Sequence, residues 1–233
     1  MSLIITNPTI QAAVASAVAL PLLFASFVLL EPALVVGQTD SNDFTIQQTI
    51  NNEIAFTAQP QNVVMDTPLT GLTGGTSNGS TTFSVATNNP NGYTVAIRFA
   101  NAGSGNAMAY NSSPTDTFIT NGPGTVSFDF DPPAANSPAL FAYTVDGAHA
   151  AQTFRSTAST CDSGAGSTDG ESCFLMQSTI TTNEEIMRRT SASAGGDGDS
   201  LDLYFRVVVG QDPDPVLPSG TYTATATLTA QEL

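Results

Sequence analysis

The chain of 233 residues carries 20 Asp and Glu against 5 Lys and Arg, a net charge of −15, and all five cations are arginines. Arg98, Arg155 and Arg206 stand alone and Arg188 and Arg189 make one short pair, which excludes nucleic acid and an anionic membrane surface as expected partners. With 41% hydrophobic and 11% charged residues the chain has the material for a folded core, but one His and no Trp or Lys leave few side chains for acid–base catalysis.

No ionisable side chain occurs in residues 1–30, and residues 12–30 are an apolar run broken only by Ser16, Pro21 and Ser26. Its length is close to the ~20 residues that cross a bilayer core, so the reading is an N-terminal hydrophobic helix, either a signal peptide or a retained anchor. Val35 and Gly37 supply small residues for a cleavage site, which places residues 1–37 in the leader and 38–233 in one domain. The membrane would then be met only through residues 12–30.

Beyond Gln38 the composition turns to Thr, Ser, Asn, Gly and Ala, and the apolar period changes to two. A first strand is expected over 44–56, with Phe44, Ile46, Ile54 and Phe56 alternating with polar residues and Ile50 inside the interruption at 48–53. Weaker strands fall at 62–65, 81–87, 126–130 and 140–145. Tyr93, Val95, Ile97 and Phe99 share one face of a strand whose other face carries Arg98. Leu203, Phe205, Val207 and Val209 oppose Asp202, Tyr204 and Arg206, and Tyr222, Ala224, Ala226 and Leu228 oppose four threonines. The clusters at 74–79 and 88–92 read as turns, and the loops at 102–117 and 158–172 as surface. One short helix is expected from the capping-box spacing of Thr182-Asn183-Glu184-Glu185 ahead of Ile186 and Met187. The fold class that results is all-β, a single antiparallel β-sandwich, Ig-like or jelly-roll-like.

Motifs that carry chemistry are few. Gly75-Thr76-Ser77-Asn78-Gly79 has the spacing of a hydrolase nucleophile elbow but no helix after it, so it reads as a hairpin turn. Asn78-Gly79-Ser80 and Asn111-Ser112-Ser113 are formal glycosylation acceptors, expected in surface loops. Asp197, Asp199 and Asp202 offer an oxygen-rich loop that could hold Ca²⁺, with a solvated acidic loop as the ordinary alternative. No cofactor motif is present, and no enzymatic activity is expected. Cys161 and Cys173 are the only cysteines and share one Gly/Ser/Asp-rich loop, so in an exported chain they should form a disulfide.

The run Leu72-Thr73-Gly74-Gly75-Thr76-Ser77-Asn78-Gly79-Ser80, its continuation through Asn88-Asn89-Pro90-Asn91-Gly92-Tyr93, and the ending Pro218-Ser219-Gly220-Thr221-Tyr222-Thr223 resemble uncharacterised secreted, cell-surface β-sandwich proteins of small-genome bacteria. The Gly-Thr-Tyr-Thr alternation of the last strand is also similar to spore-coat and biofilm-fibre, pilin-like subunits. The resemblance implies an extracellular structural protein that self-assembles into a surface filament or coat, and carries no catalytic residue with it. The alternative is a monomeric adhesin that binds a carbohydrate or a host surface protein. On the first reading, Phe44, Ile46, Ile50, Ile54 and Phe56 belong to a strand that one subunit lends to the next.

Overall fold

The computed structural model describes residues 40–110, 118–120, 122, 124–157, 159–162, 166–176, 180–193 and 195–233. The apolar run 12–30 and the acceptor Asn111 lie outside them. Among the described residues no helix is long and apolar enough to cross a membrane. Residues 50–233 form one compact unit. Residues 40–49, which precede it, are irregular and exposed throughout.

Among its described residues the compact unit is all-β apart from one 3₁₀ turn. In chain order its strands are β1 (Ile54–Ala58), β2 (Gly75–Thr87), β3 (Tyr93–Phe99), β4 (Met108–Tyr110), β5 (Phe118–Ile119), β6 (Val126–Ser127), β7 (Leu140–Asp146), β8 (Phe174–Leu175), β9 (Glu184–Arg189), β10 (Asp199–Val209), β11 (Tyr222–Ala224) and β12 (Ala226–Glu232). Among the described residues the ladders between these strands are antiparallel, with one isolated parallel bridge from Thr120 to Leu140. One sheet has six strands in the order β1-β2-β10-β7-β8-β6, and two three-stranded sheets run β11-β4-β5 and β12-β3-β9. The two small sheets are nearly one: Ala100 N donates to Thr225 O at 2.8 Å between the β4–β11 and β3–β12 ladders.

Period-two patterning explains the strongest strands. Tyr93, Val95, Ile97 and Phe99 are all buried while Arg98 is exposed, and Phe83, Val85, Tyr143, Val145, Leu201 and Leu203 meet them from the six-stranded sheet. Phe99 packs edge-on to Phe141 at 5.4 Å between ring centroids and tilted to Tyr143 at 5.5 Å. Val208 points the other way, into a smaller cluster with Phe130, Ala142, Phe174 and Met176. Arg206, on that outer face, is sheltered too: its guanidinium lies 4.2 Å from the Phe174 ring centroid, and its Nε donates to Asn78 Oδ1 at 2.7 Å.

Several expectations are corrected. Residues 184–189 are strand β9, not a helix, because Arg189 to Met187 and then Glu185 and Glu184 pair with β3. A bulge between those two stretches turns both Ile186 and Met187 inward, and this adjacent apolar pair imitates a helical face in sequence. Residues 75–79 are not a turn but the start of β2, paired with Val209 to Phe205 of β10. The bend falls earlier, where Gly74 takes φ 73° and its N–H donates to Thr70 O at 3.1 Å. Consequently Asn78 lies in a strand rather than a loop. The first strand begins only at Ile54, residues 62–65 join no ladder, and 126–130 yields two strand residues. Met108 and Ala109, expected in a surface loop, are buried. The turn at 88–92 is present, closed by Gly92 N donating to Asn89 O at 3.0 Å.

Candidate functional site

Part of the core is only half buried. β1 is an end strand of the six-stranded sheet, β11 and β12 are end strands of the small sheets, and β1 and β12 lie alongside each other. The inward side chains here, Ile54 and Phe56 of β1, Tyr222, Leu228 and Ala230 of the closing strands and Phe205 of β10, are packed against the core yet only half buried. Beside Tyr222 lies an apolar groove of about 800 Å³, walled by residues 63–72 and 216–223 and floored by Met108, Val207 and Val209. A smaller cavity of about 320 Å³ continues it toward Phe99, Phe141 and Leu203.

The five residues expected to form a lent strand divide into two groups. Ile54 and Phe56 belong to β1, paired with Thr87 and Val85 of the same chain, and Phe56 meets Phe83 edge-on at 6.1 Å. Phe44, Ile46 and Ile50 stand 81%, 84% and 82% exposed, outside any strand. The division is made by Asn88: its Nδ2 donates to Asn51 O at 2.9 Å, and its N and Oδ1 hold the main chain of Glu53.

A second constellation surrounds Asp199 at the start of β10. Arg189 Nη1 donates to Asp199 Oδ1, Tyr93 OH donates to Oδ2 at 2.9 Å, and Ser193 Oγ donates to Oδ2 at 3.2 Å. Burial first, and then the bond to Asp199, push the Tyr93 phenol well above its ordinary pKa, so it remains a donor. His149 Nε2 lies 3.1 Å from Arg189 Nη1 and 3.6 Å from Asp199 Oδ1. Ser193 Oγ also accepts Thr87 N at 3.1 Å, so the cluster joins β2, β3, β9 and β10. These bonds occupy the carboxylate with structural donors. Asp202 accepts from Thr82 Oγ1, and Asp197 contributes its main-chain O to Thr57 Oγ1 at 2.7 Å. Asp199 and Asp202 thus accept separate side-chain bonds and Asp197 a bond to its main chain, and among the described residues no group of three His, Cys, Asp or Glu could hold a metal.

Cys161 and Cys173 are joined by a disulfide, with Cα atoms 5.5 Å apart. Side-chain bonds hold residues 166–172 of the loop they close. Asp169 accepts Ser172 N at 2.8 Å and Glu171 N at 3.0 Å, while the Arg155 guanidinium donates to Ala150 O at 3.1 Å, Ala148 O at 3.1 Å and Gly166 O at 3.4 Å. Sequence reasoning missed this use of Arg155 and the Asp199 cluster, since neither has a short-range motif. Comparison of the chain with protein-family models, with curated proteins and with solved structures finds no match to any of them.

Proposed function

We propose that this chain is an extracellular structural subunit that polymerises into a surface fibre or coat by lending its N-terminal arm to a neighbour. The observation that carries the reading is the presence of two apolar surfaces in one molecule: the exposed arm with Phe44, Ile46 and Ile50, and the groove walled by residues 63–72 and 216–223. In this reading the six-stranded sheet and the two small sheets are the layers of an antiparallel sandwich, Ig-like or jelly-roll-like, missing a strand beside that groove.

The arm suits the role. Residues 44, 46, 48 and 50 share a face when the chain is extended, and nine residues from 43 to 51 reach about 30 Å. Burying a large apolar side chain contributes about 1.5–3 kcal/mol, so three of them supply an amount of the same order as the about 4–15 kcal/mol that association costs, and a row of strand hydrogen bonds adds to it. Each subunit has one arm to donate and one edge to accept it, so a head-to-tail contact of this kind propagates as a filament when its rotation does not close into a ring. The disulfide supports an oxidising, extracellular setting, and the alternating Thr face of β12 suits a solvated fibre surface.

Negative-stain microscopy of residues 38–233 tests the reading, with filaments expected. A persistent monomer that binds a glycan array would replace it with the adhesin reading, in which the groove holds a ligand.

A further inference from the structure

Residues 59–72, between β1 and β2, belong to no sheet, yet they follow the outer edge of β2 in the direction that β1 takes. Gln61 N donates to Thr81 Oγ1 at 2.7 Å, Asp66 N to Asn78 O at 2.7 Å and Thr67 N to Ser77 Oγ at 3.2 Å. A carboxylate stands in for a missing main-chain acceptor: Asp66 Oδ1 takes Asn78 N at 2.9 Å and Ser77 Oγ at 3.2 Å. The side chains alternate as in a strand, Val63 and Met65 half buried and Val64 89% exposed. Gly79 is required beneath them, because a Cβ there would lie 2.5 Å from Val63 Cγ1.

Among the described residues, Asp66 N to Asn78 O is the one main-chain to main-chain bond joining this segment to β2. Pro60 and Pro68 have no N–H to add. The edge of β2 is therefore covered by a chain that satisfies it poorly and mostly through side chains. Natural sheets protect open edges with covers of this kind.

We infer that residues 59–72 are an autoinhibitory strap, occupying within one subunit the β2 edge that the arm of a second copy takes in the fibre, with Asp66 as its latch. The inference rests on the assembly reading above. Residues 43–51 contain no proline and can offer β2 a regular ladder, with Phe44, Ile46 and Ile50 in place of Val63 and Met65 over the groove. The strap keeps the lone subunit from pairing indiscriminately, and its release sets the rate of strand entry.

The test is the lag of filament formation followed by light scattering on residues 38–233. Asp66→Ala should shorten the lag about tenfold, as expected from losing a charge-assisted bond, while Asp66→Asn, which keeps an acceptor oxygen, should fall near the unsubstituted protein. Gly79→Ala, which lifts Val63 sterically, should shorten the lag independently. Filaments that form with an unchanged lag in Asp66→Ala and Gly79→Ala overturn the strap and leave the fibre reading standing. If no version forms filaments, the fibre reading falls, and the strap is judged by capture of a fluorescent peptide of residues 43–51. Faster capture by Asp66→Ala upholds it; equal or absent capture overturns it.

Discussion

Tyr93 at the first position of β3 donates its hydroxyl hydrogen to Asp199 at the first position of β10, 2.9 Å away and 106 residues later in the chain. The bond crosses between a small sheet and the six-stranded sheet, and Arg189 on β9 neutralises the same carboxylate. Tyr93 is fully buried, and the side chains of Arg189 and Asp199 are 15% and 11% exposed, so this is a nearly dry charged cluster.

Removing one partner from such a cluster leaves the other uncompensated. Arg189→Leu should destabilise the fold by about 3 kcal/mol, since it strands a buried carboxylate. Tyr93→Phe, which keeps the ring and deletes one bond to a charged acceptor, should cost about 1.5 kcal/mol. Urea midpoints at constant slope measure both. A Tyr93→Phe loss as large as that of Arg189→Leu would show that the hydroxyl, not the cation, holds the carboxylate.

How much of this was legible in sequence depends on the range of the interaction. The alternation of Tyr93, Val95, Ile97 and Phe99 is written in adjacent residues, and their burial follows from it. The closing strand reads equally well, yet its inward residues reach only partial burial because β11 and β12 lie at an edge, a property of topology rather than of pattern. The Ile186-Met187 pair misleads because a bulge shifts the period where β9 meets β3. Glycines at 75 and 79 read as turn formers, but Gly79 is needed for the close approach of Val63. The Asp199 cluster draws on residues 93, 149, 189, 193 and 199, and no spacing rule connects them.

The disulfide should be quantitative in the native protein. Thiol labelling without reductant should find neither Cys161 nor Cys173 reactive, and labelling after reduction should find both. Closing a loop of sequence separation 12 restricts the unfolded chain by about 3 kcal/mol in the loop-entropy model. Reduction should therefore lower the melting temperature while leaving the strands intact by circular dichroism.

Acid should act on this protein in two opposite ways. Glu184 has its pKa raised, first by burial and then by the neighbouring Glu185 charge. A raised carboxyl pKa favours the fold below the ordinary glutamate range, and that contribution is lost as pH rises through the folded value. Glu184→Gln should therefore raise the melting temperature at neutral pH, and the gain should vanish below that range. Asp66 has the reverse sign: the Asn78 N–H holds its carboxyl below the usual range, so its bond is kept at neutral pH and lost only in stronger acid. A Glu184→Gln gain that persists in acid would show packing rather than charge at work.

Self-assembly should also rise as pH falls toward the carboxylate range near about 4, because protonation relieves the repulsion of a −15 chain. Added salt at neutral pH should have the same direction through screening. Light scattering across this range measures it, and a flat profile in both series would show that charge does not limit association.

Deletion of residues 43–51 separates the lent arm from an ordinary first strand. The compact unit begins at residue 50, and β1 with Ile54 and Phe56 stays paired to β2, so the truncated chain loses no ladder. Of its contacts inside the unit, the bond from Asn88 Nδ2 to Asn51 O is removed while the Asn88 bonds to Glu53 remain. The expected product is a folded monomer whose melting temperature lies within a few degrees of the longer chain, since losing one exposed hydrogen bond costs about 1 kcal/mol. Filaments should be absent, and adding a synthetic peptide of residues 43–51 should fill the groove without propagating a filament. Unfolding on deletion would show that the arm belongs to its own subunit's core, and filaments that persist without it would place the assembly contact elsewhere on the surface.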